Sequence, residues 1–426
     1  MEIIKPKDRD AIIQSLRAGV VPRRGLHHIQ VGRSKEINAI VKDIDKIVDG
    51  SSFFKIVSGE YGTGKTFFLM LTKAIAHEKK IITVNADLTP TKRLYSTSGQ
   101  AKHLYCELIK NMATKTKPEG GALSSVLERF IVSITEEAAA KQQTTEANLN
   151  QKLDSLKELA GGYDFAEILK LFLNASEQGD ESLKSNCLKW FRGEYSTRTD
   201  AKNDLKIRNI IDDSNYYDHL KLFAKLSKIA GYSGLVIVLD EAVNLYKIQN
   251  KKSRDSNYEL ILMMLNDILQ GTTENFGLLI GGTPEFIYNP HRGLYNYEAL
   301  QSRLAQNGFV KEGMIDFSGP IMPLTKLTQE ELYILLHKIV LVYAGGDEKK
   351  FLLNTEQIQS FMNHCFKKIG AMYYSTPRLT IKAFIDLIAV LEQNPETSLD
   401  SLIPTVSIVE DKGLDGADEQ LAEFQL

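Results

Sequence analysis

Gly59-Glu60-Tyr61-Gly62-Thr63-Gly64-Lys65-Thr66 fits the phosphate-loop pattern G-x-x-x-x-G-K-[ST]. Ahead of it, Phe53-Phe54-Lys55-Ile56-Val57 reads as a short buried strand. Behind it, Phe67-Phe68-Leu69-Met70-Leu71 opens an apolar run that continues as a helix through Ala74 and Ile75. The strand-loop-helix context makes the eight residues a nucleotide-binding loop. Glycines at 59, 62 and 64 let backbone N–H groups curl around phosphate oxygens. Lys65 reaches the β and γ phosphates, and the Thr66 hydroxyl suits Mg²⁺.

Outward from the loop, Lys80–Asn85 reads as a second strand and Gly234–Glu241 as a third, whose apolar run has no alternation. Phe276–Pro284 reads as a fourth, after a helix from Tyr258 to Leu269, and Met314–Met322 as a weaker fifth. Continuous apolar strands between helices predict a buried parallel sheet, an α/β fold. Lys65 and Asp240 stand 175 positions apart, whereas a βαβ unit takes about 30 residues. A large insertion, at about 112–225, is therefore expected. Its stretches 102–135 and 149–174 carry apolar positions at helical spacing around a polar tract, Lys141–Glu146. After Pro323, segments 329–342, 355–368 and 380–393 read as a small helical bundle. The expected division is an N-terminal segment (1–50), a nucleotide-binding core (51–322), a helical lid (323–400) and an acidic tail (401–426).

The 426 residues are 43% hydrophobic, enough for substantial cores, and the formal net charge is −2. No run approaches a membrane span and the N-terminus lacks a signal-peptide core, so a cytoplasmic address with no membrane role is expected. Cys106, Cys187 and Cys365 lie far apart without metal-ligand spacing, which predicts isolated reduced thiols. From Thr405 to Leu426 six acids face Lys412 alone, leaving the rest mildly basic.

Asp240 and Glu241 end the third strand as an acidic pair. Asp240 is expected to hold the hydration shell of Mg²⁺ and Glu241 to polarise the attacking water; the alternative is an ordinary strand end with two exposed acids. Thr283, closing the fourth strand, can place a hydroxyl between the γ-phosphate and these acids if that strand lies beside the first and third. Plain turn chemistry in Gly281-Gly282-Thr283-Pro284 is the rival. Arg303 is a candidate arginine finger for a neighbouring subunit, or else a solvated helix arginine. Arg378, at the start of a bundle helix, can bring a cation toward the γ-phosphate. Ala18–Leu26 is expected to wrap the adenine edge, before a helix that Ser34 can cap.

In this order the pieces resemble the AAA+ ATPases, more closely their origin-recognition-complex-like branch, and within it the ATP-binding proteins of BREX-type phage-defence islands. The closer resemblance rests on Leu16–Leu26, the phosphate loop, Trp190-Phe191-Arg192-Gly193-Glu194, and Gly282–Phe286 leading to Arg292–Tyr295 and Ala299–Leu304. It spans about residues 11–390. It implies a five-stranded core with a helical lid, ATP and Mg²⁺ bound between subunits of a homo-oligomer, and action on DNA or on a helicase or nuclease partner. The short acidic stretch after residue 400 departs from the origin-recognition relatives, and no DNA-binding winged helix like theirs is expected in it. DNA contact is then expected from Lys247–Arg254, or from Arg192, Arg198, Lys202, Lys206 and Arg208, with Trp190 a core aromatic. Two further readings share the site: a nucleotide-gated switch that recruits a partner with little hydrolysis, and a transposition-type AAA+ regulator.

Overall fold

The computed structural model describes residues 3–311, 314–369 and 377–405. They form two compact units. The first joins residues 34–59 to residues 68–323 around a parallel five-stranded sheet. Its strands are β1 (Phe53–Ser58), β2 (Ile81–Asp87), β3 (Gly234–Asp240), β4 (Phe276–Gly282) and β5 (Ile321–Pro323), in the spatial order β2-β3-β4-β1-β5. Every residue of β1, β3 and β4 is buried, as unalternating apolar runs require of a sheet covered on both faces.

One buried charge interrupts that pattern. Lys55 in β1, 2% exposed, pairs with Asp43 at 3.0 Å and donates to the carbonyls of Phe317 (2.8 Å) and Gly319 (2.7 Å). The ion pair and the two carbonyl bonds together offset desolvation of the ammonium. They also fasten the segment leading into β5 against β1. β5 is shorter than the expected Met314–Met322: Met314 and Ile315 are exposed, and pairing with β1 begins only at Ile321.

The stretch between β2 and β3 is helical. Leu123–Ala140, Thr145–Lys157, Gly162–Gln178, Glu181–Phe191, Arg198–Leu205 and Tyr216–Ile229 follow one another there. The polar tract 141–144 is a loop, and Thr144 caps the next helix by accepting from Ala147 N at 3.2 Å. Phe165, Trp190, Phe191 and Phe223 meet edge-to-face around the buried His219. Desolvation holds His219 below its ordinary pKa. This aromatic cluster is continuous with the apolar face of the sheet, so the insertion shares the sheet's core. Trp190 is 1% exposed and donates Nε1–H to the Asn209 carbonyl, the core role expected of it.

The second unit gathers the described parts of residues 1–33, 60–67 and 324–426 around Ile12, Leu336, Ile339, Phe361, Phe384 and Ile388. Helix Pro6–Arg17 begins with proline at its first turn, where the missing N–H costs nothing. It packs within the C-terminal helices: Arg17 pairs with Asp386 at 3.0 Å, and Arg9 donates to the Tyr343 carbonyl at 2.9 Å. Helix Gln329–Tyr343 opens with a capping box, Thr328 and Glu331 each satisfying the other's backbone N–H. Helices Thr355–Ile369 and Pro377–Gln393 complete the bundle. No helix among the described residues is long and apolar enough to cross a membrane. Among the described residues Cys106, Cys187 and Cys365 form no disulfide. Most of the expected acidic tail, from residue 406 on, lies outside the described residues.

Candidate functional site

In a parallel sheet all carboxyl ends share one edge, and ligands bind outside that edge. The register fixes which residues stand there. Ser58 of β1 is opposite Gly282 of β4, and Asp87 of β2 is opposite Asp240 of β3. β4 lies between β1 and β3, so the strand that Thr283 closes has the acid-bearing strand on one side and the phosphate-loop strand on the other. Gly59 N donates to the Gly282 carbonyl at 3.2 Å, which carries the β1–β4 pairing one residue past the strand end.

Asp240 is 7% exposed. Its Oδ1 accepts the backbone N–H of Glu241 at 2.8 Å and lies against Gly281. Glu241 is exposed and left-handed (φ 57°), a conformation that costs about 1 kcal/mol in a residue with a side chain. The turn is stabilised where Ala242 N donates to the Gly281 carbonyl at 3.0 Å and Leu88 N to the Asp240 carbonyl at 2.9 Å. The two acids therefore differ: one tucked against β4, the next projecting from a strained turn. Asp87 reaches solvent on one side, yet partial burial, and after it the Asp240 charge, raise its pKa above the ordinary carboxylate value. No group of three or more metal-ligating side chains occurs among the described residues. Crowded carboxylate oxygens are hard donors suited to Mg²⁺.

Thr283 is 3% exposed and caps the short helix Pro284–Tyr288, its Oγ1 accepting from Phe286 N at 3.3 Å. The capping bond uses a lone pair and leaves the hydroxyl proton able to donate.

Within the other unit, Gly62 (φ 79°) and Gly64 (φ 84°) take the left-handed conformations that turn the loop. Thr63 Oγ1 donates to the Glu60 carbonyl at 2.9 Å, and Lys65 Nζ to the same oxygen at 3.0 Å. Lys65 also lies over the exposed Tyr61 ring, 5.4 Å from its centroid. Lys65 and Thr66 open helix Lys65–Glu78. Arg33 is a residue that pattern reading missed. Its Nη2 donates to the carbonyls of Thr63 (2.8 Å) and Thr325 (2.5 Å), tying the loop to the chain just after β5. Arg378 is exposed and lies against Gly19, where a Cβ would stand 2.9 Å from its Nε. Back in the sheet unit, Arg303 ends helix Glu298–Arg303, exposed, with Nε donating to Asn266 Oδ1 at 2.7 Å.

The profile of the BREX system ATP-binding protein BrxC/D family matches residues 4–407. The chain belongs to that family. No curated protein matches it. Family membership carries ATP binding, as the phosphate loop predicts, for this BREX-family chain.

One set of expected DNA contacts in the BREX-family chain is altered by packing. Lys247–Arg254 is not one open loop: Asn250 caps a helix that already starts at Lys251. Arg254 is 5% exposed and donates to the Ile248 carbonyl at 2.8 Å, which Arg292 also reaches at 3.2 Å. These two arginines hold the turn after β3, and the buried Arg254 is withdrawn from any phosphate surface, whereas Lys251 and Lys252 remain exposed.

Proposed function

We propose that the chain is an AAA+ ATPase of an antiphage defence system. In this reading residues 59–66 cradle the phosphates of ATP, Lys65 neutralises the β and γ oxygens, and Asp240 with Thr66 holds Mg²⁺. Bound Mg²⁺ supplies charge neutralisation at the phosphates. Glu241 accepts hydrogen bonds from the attacking water and takes its proton, and Thr283 donates its hydroxyl proton toward the γ-phosphate. Arg303 acts in a neighbouring copy of the chain, and Arg378 reads nucleotide state from the helical lid, residues 323–400.

The observation that carries this reading is the carboxyl edge itself. β4 separates the phosphate-loop strand from the acid strand, so Thr283 and the Asp240–Glu241 pair end on adjacent strands. Output is proposed as ATP-dependent assembly in the cytoplasm that engages DNA or loads a helicase or nuclease, which size exclusion with and without ATP tests.

Turnover decides the chemistry. Lys65→Ala should lose nucleotide binding, whereas Glu241→Gln should keep it and lower the hydrolysis rate by about 10²–10⁴-fold. Wild-type turnover in Glu241→Gln would remove Glu241 from the mechanism. Full biological function with no turnover would favour the nucleotide-gated switch.

A further inference from the structure

The stretch Trp190-Phe191-Arg192-Gly193-Glu194 takes no part in the nucleotide chemistry above, and its construction is specific. The Phe191 carbonyl accepts the buried Tyr105 hydroxyl at 2.7 Å. Gly193 is left-handed (φ 71°), and a Cβ there would stand 3.0 Å from the Tyr105 ring and 3.2 Å from Cys106 Sγ. Glycine is needed on both counts. Its N–H returns to the Trp190 carbonyl at 2.9 Å and that of Glu194 to Lys189 at 3.1 Å, closing helix Glu181–Phe191. The result is a fixed turn that presents opposite charges, Arg192 and Glu194, to one cavity of about 520 Å³.

That volume falls in the usual range for small-ligand sites, about 300–1,000 Å³. Lys92, His103, Lys110 and Glu107 also line the cavity, whose floor is closed by the buried Ile109 and Leu123. Among the described residues the side chains of Arg192, Lys110 and His103 make no ion pair or hydrogen bond, so their donors are available. Glu107 is engaged: it accepts from Asn111 Nδ2 at 3.2 Å and lies 3.9 Å from Lys92 Nζ. Arginine and lysine donors suit a phosphate. Glu194 disfavours a bare anion but accepts from an N–H or O–H on the same ligand. A flat ring can lie against the Arg192 guanidinium plane and the aliphatic stems of Lys92 and Lys110.

Phosphate, hydrogen-bond donors and a flat ring together describe a nucleotide. We propose that this cavity is a second nucleotide-recognition site, built independently of the phosphate loop, for a free mononucleotide or one unit of a single strand. Asn111 Nδ2 donates both to Glu107 on the cavity wall and, at 3.0 Å, to the Asn85 carbonyl of β2, so the cavity adjoins the β2 end of the sheet's carboxyl edge. Occupancy there would be felt at the Asp87–Asp240 pair.

Cys106 offers a probe. It is half-buried on the cavity wall, with Sγ donating to the Gly193 carbonyl at 3.6 Å, while Cys187 and Cys365 are buried. Burial pushes the Cys106 thiol up, so alkylation by iodoacetamide is followed at mildly alkaline pH. The full chain carrying Lys65→Ala is used, which silences the phosphate loop and separates this test from the ATPase reading. AMP or a short oligothymidylate should slow Cys106 alkylation severalfold, and inorganic phosphate should not. Protection by AMP assigns the free nucleotide; protection by the oligonucleotide alone assigns nucleic acid. Titration calorimetry with the same three probes makes the comparison without the thiol. Adding Arg192→Ala and Lys110→Ala, both solvent-reaching, should weaken binding by about tenfold or more. Absence of binding by both nucleotide probes, equal binding of inorganic phosphate, or undiminished binding in the double variant would each overturn the proposal.

Discussion

A Cβ at Gly281 would stand 2.6 Å from Asp240 Oδ1 and 2.8 Å from Leu69 Cδ1. Asp240 therefore keeps its place at the end of β3 because its neighbour in β4 has no side chain. Gly281→Ala should push the carboxylate aside and overpack the strand at a cost of about 1–3 kcal/mol. The expected outcome is ATP turnover as low as that of Asp240→Ala, with a melting temperature lowered by a few degrees. Turnover at the wild-type rate, measured beside thermal denaturation, would show that Asp240 can relocate without loss.

Asp87 faces Asp240 across the β2–β3 register, and its folded-state pKa is raised. The ionised form is the one the fold penalises, so stability declines as pH rises through the carboxylate range and the full penalty is present at neutral pH. Asp87→Asn should raise the melting temperature of the nucleotide-free protein at pH 7. The gain should fade on acidification as the wild-type carboxyl protonates. A gain of equal size at every pH would show that charge repulsion is not its source.

Arg33 holds two backbone carbonyls, Thr63 in the phosphate loop and Thr325 after β5, with one guanidinium nitrogen. Arg33→Ala removes both bonds and should weaken nucleotide affinity about tenfold or more. Arg33→Lys should recover only part of this, because an ammonium has different reach and lacks the planar fork. Equilibrium binding of a fluorescent ATP analogue checks both; unchanged affinity in Arg33→Ala would mean that the loop needs no brace.

The strands were legible because burial on both faces leaves an unbroken apolar run, as in Leu235–Leu239 and Leu278–Ile280. The phosphate loop was legible because its glycines and lysine answer to one chemistry. Strand order was not, since nothing local in Phe276–Gly282 says that it inserts between β1 and β3. The first turns of helix Lys251–Leu269 were also hidden: Lys251, Lys252 and Arg254 show no apolar periodicity, and Arg254 is buried through one carbonyl rather than by hydrophobicity. Arg33 escaped because its acceptors, Thr63 and Thr325, are main-chain groups 30 and 292 positions away, which side-chain patterns cannot reveal. The sole available hint of the Gly281–Asp240 contact was a glycine inside an apolar strand.

Helix Pro6–Arg17 finds its partners late. Arg17 meets Asp386 across 369 positions, and Arg9 meets Glu392 across 383. At about 5–20 residues per second, a ribosome needs tens of seconds to deliver the second member of each pair. Until then the apolar stripe around Ile12 lacks the part of its native cover that Phe384, Ile385 and Ile388 supply. The sheet-bearing unit, whose last strand ends at Pro323, can be completed sooner. The bundle that unites both ends of the described chain is thus the last part of the molecule to close during synthesis, and a nascent chain halted before residue 377 has a first helix that can meet Gln329–Tyr343 but lacks its Asp386 and Glu392 partners.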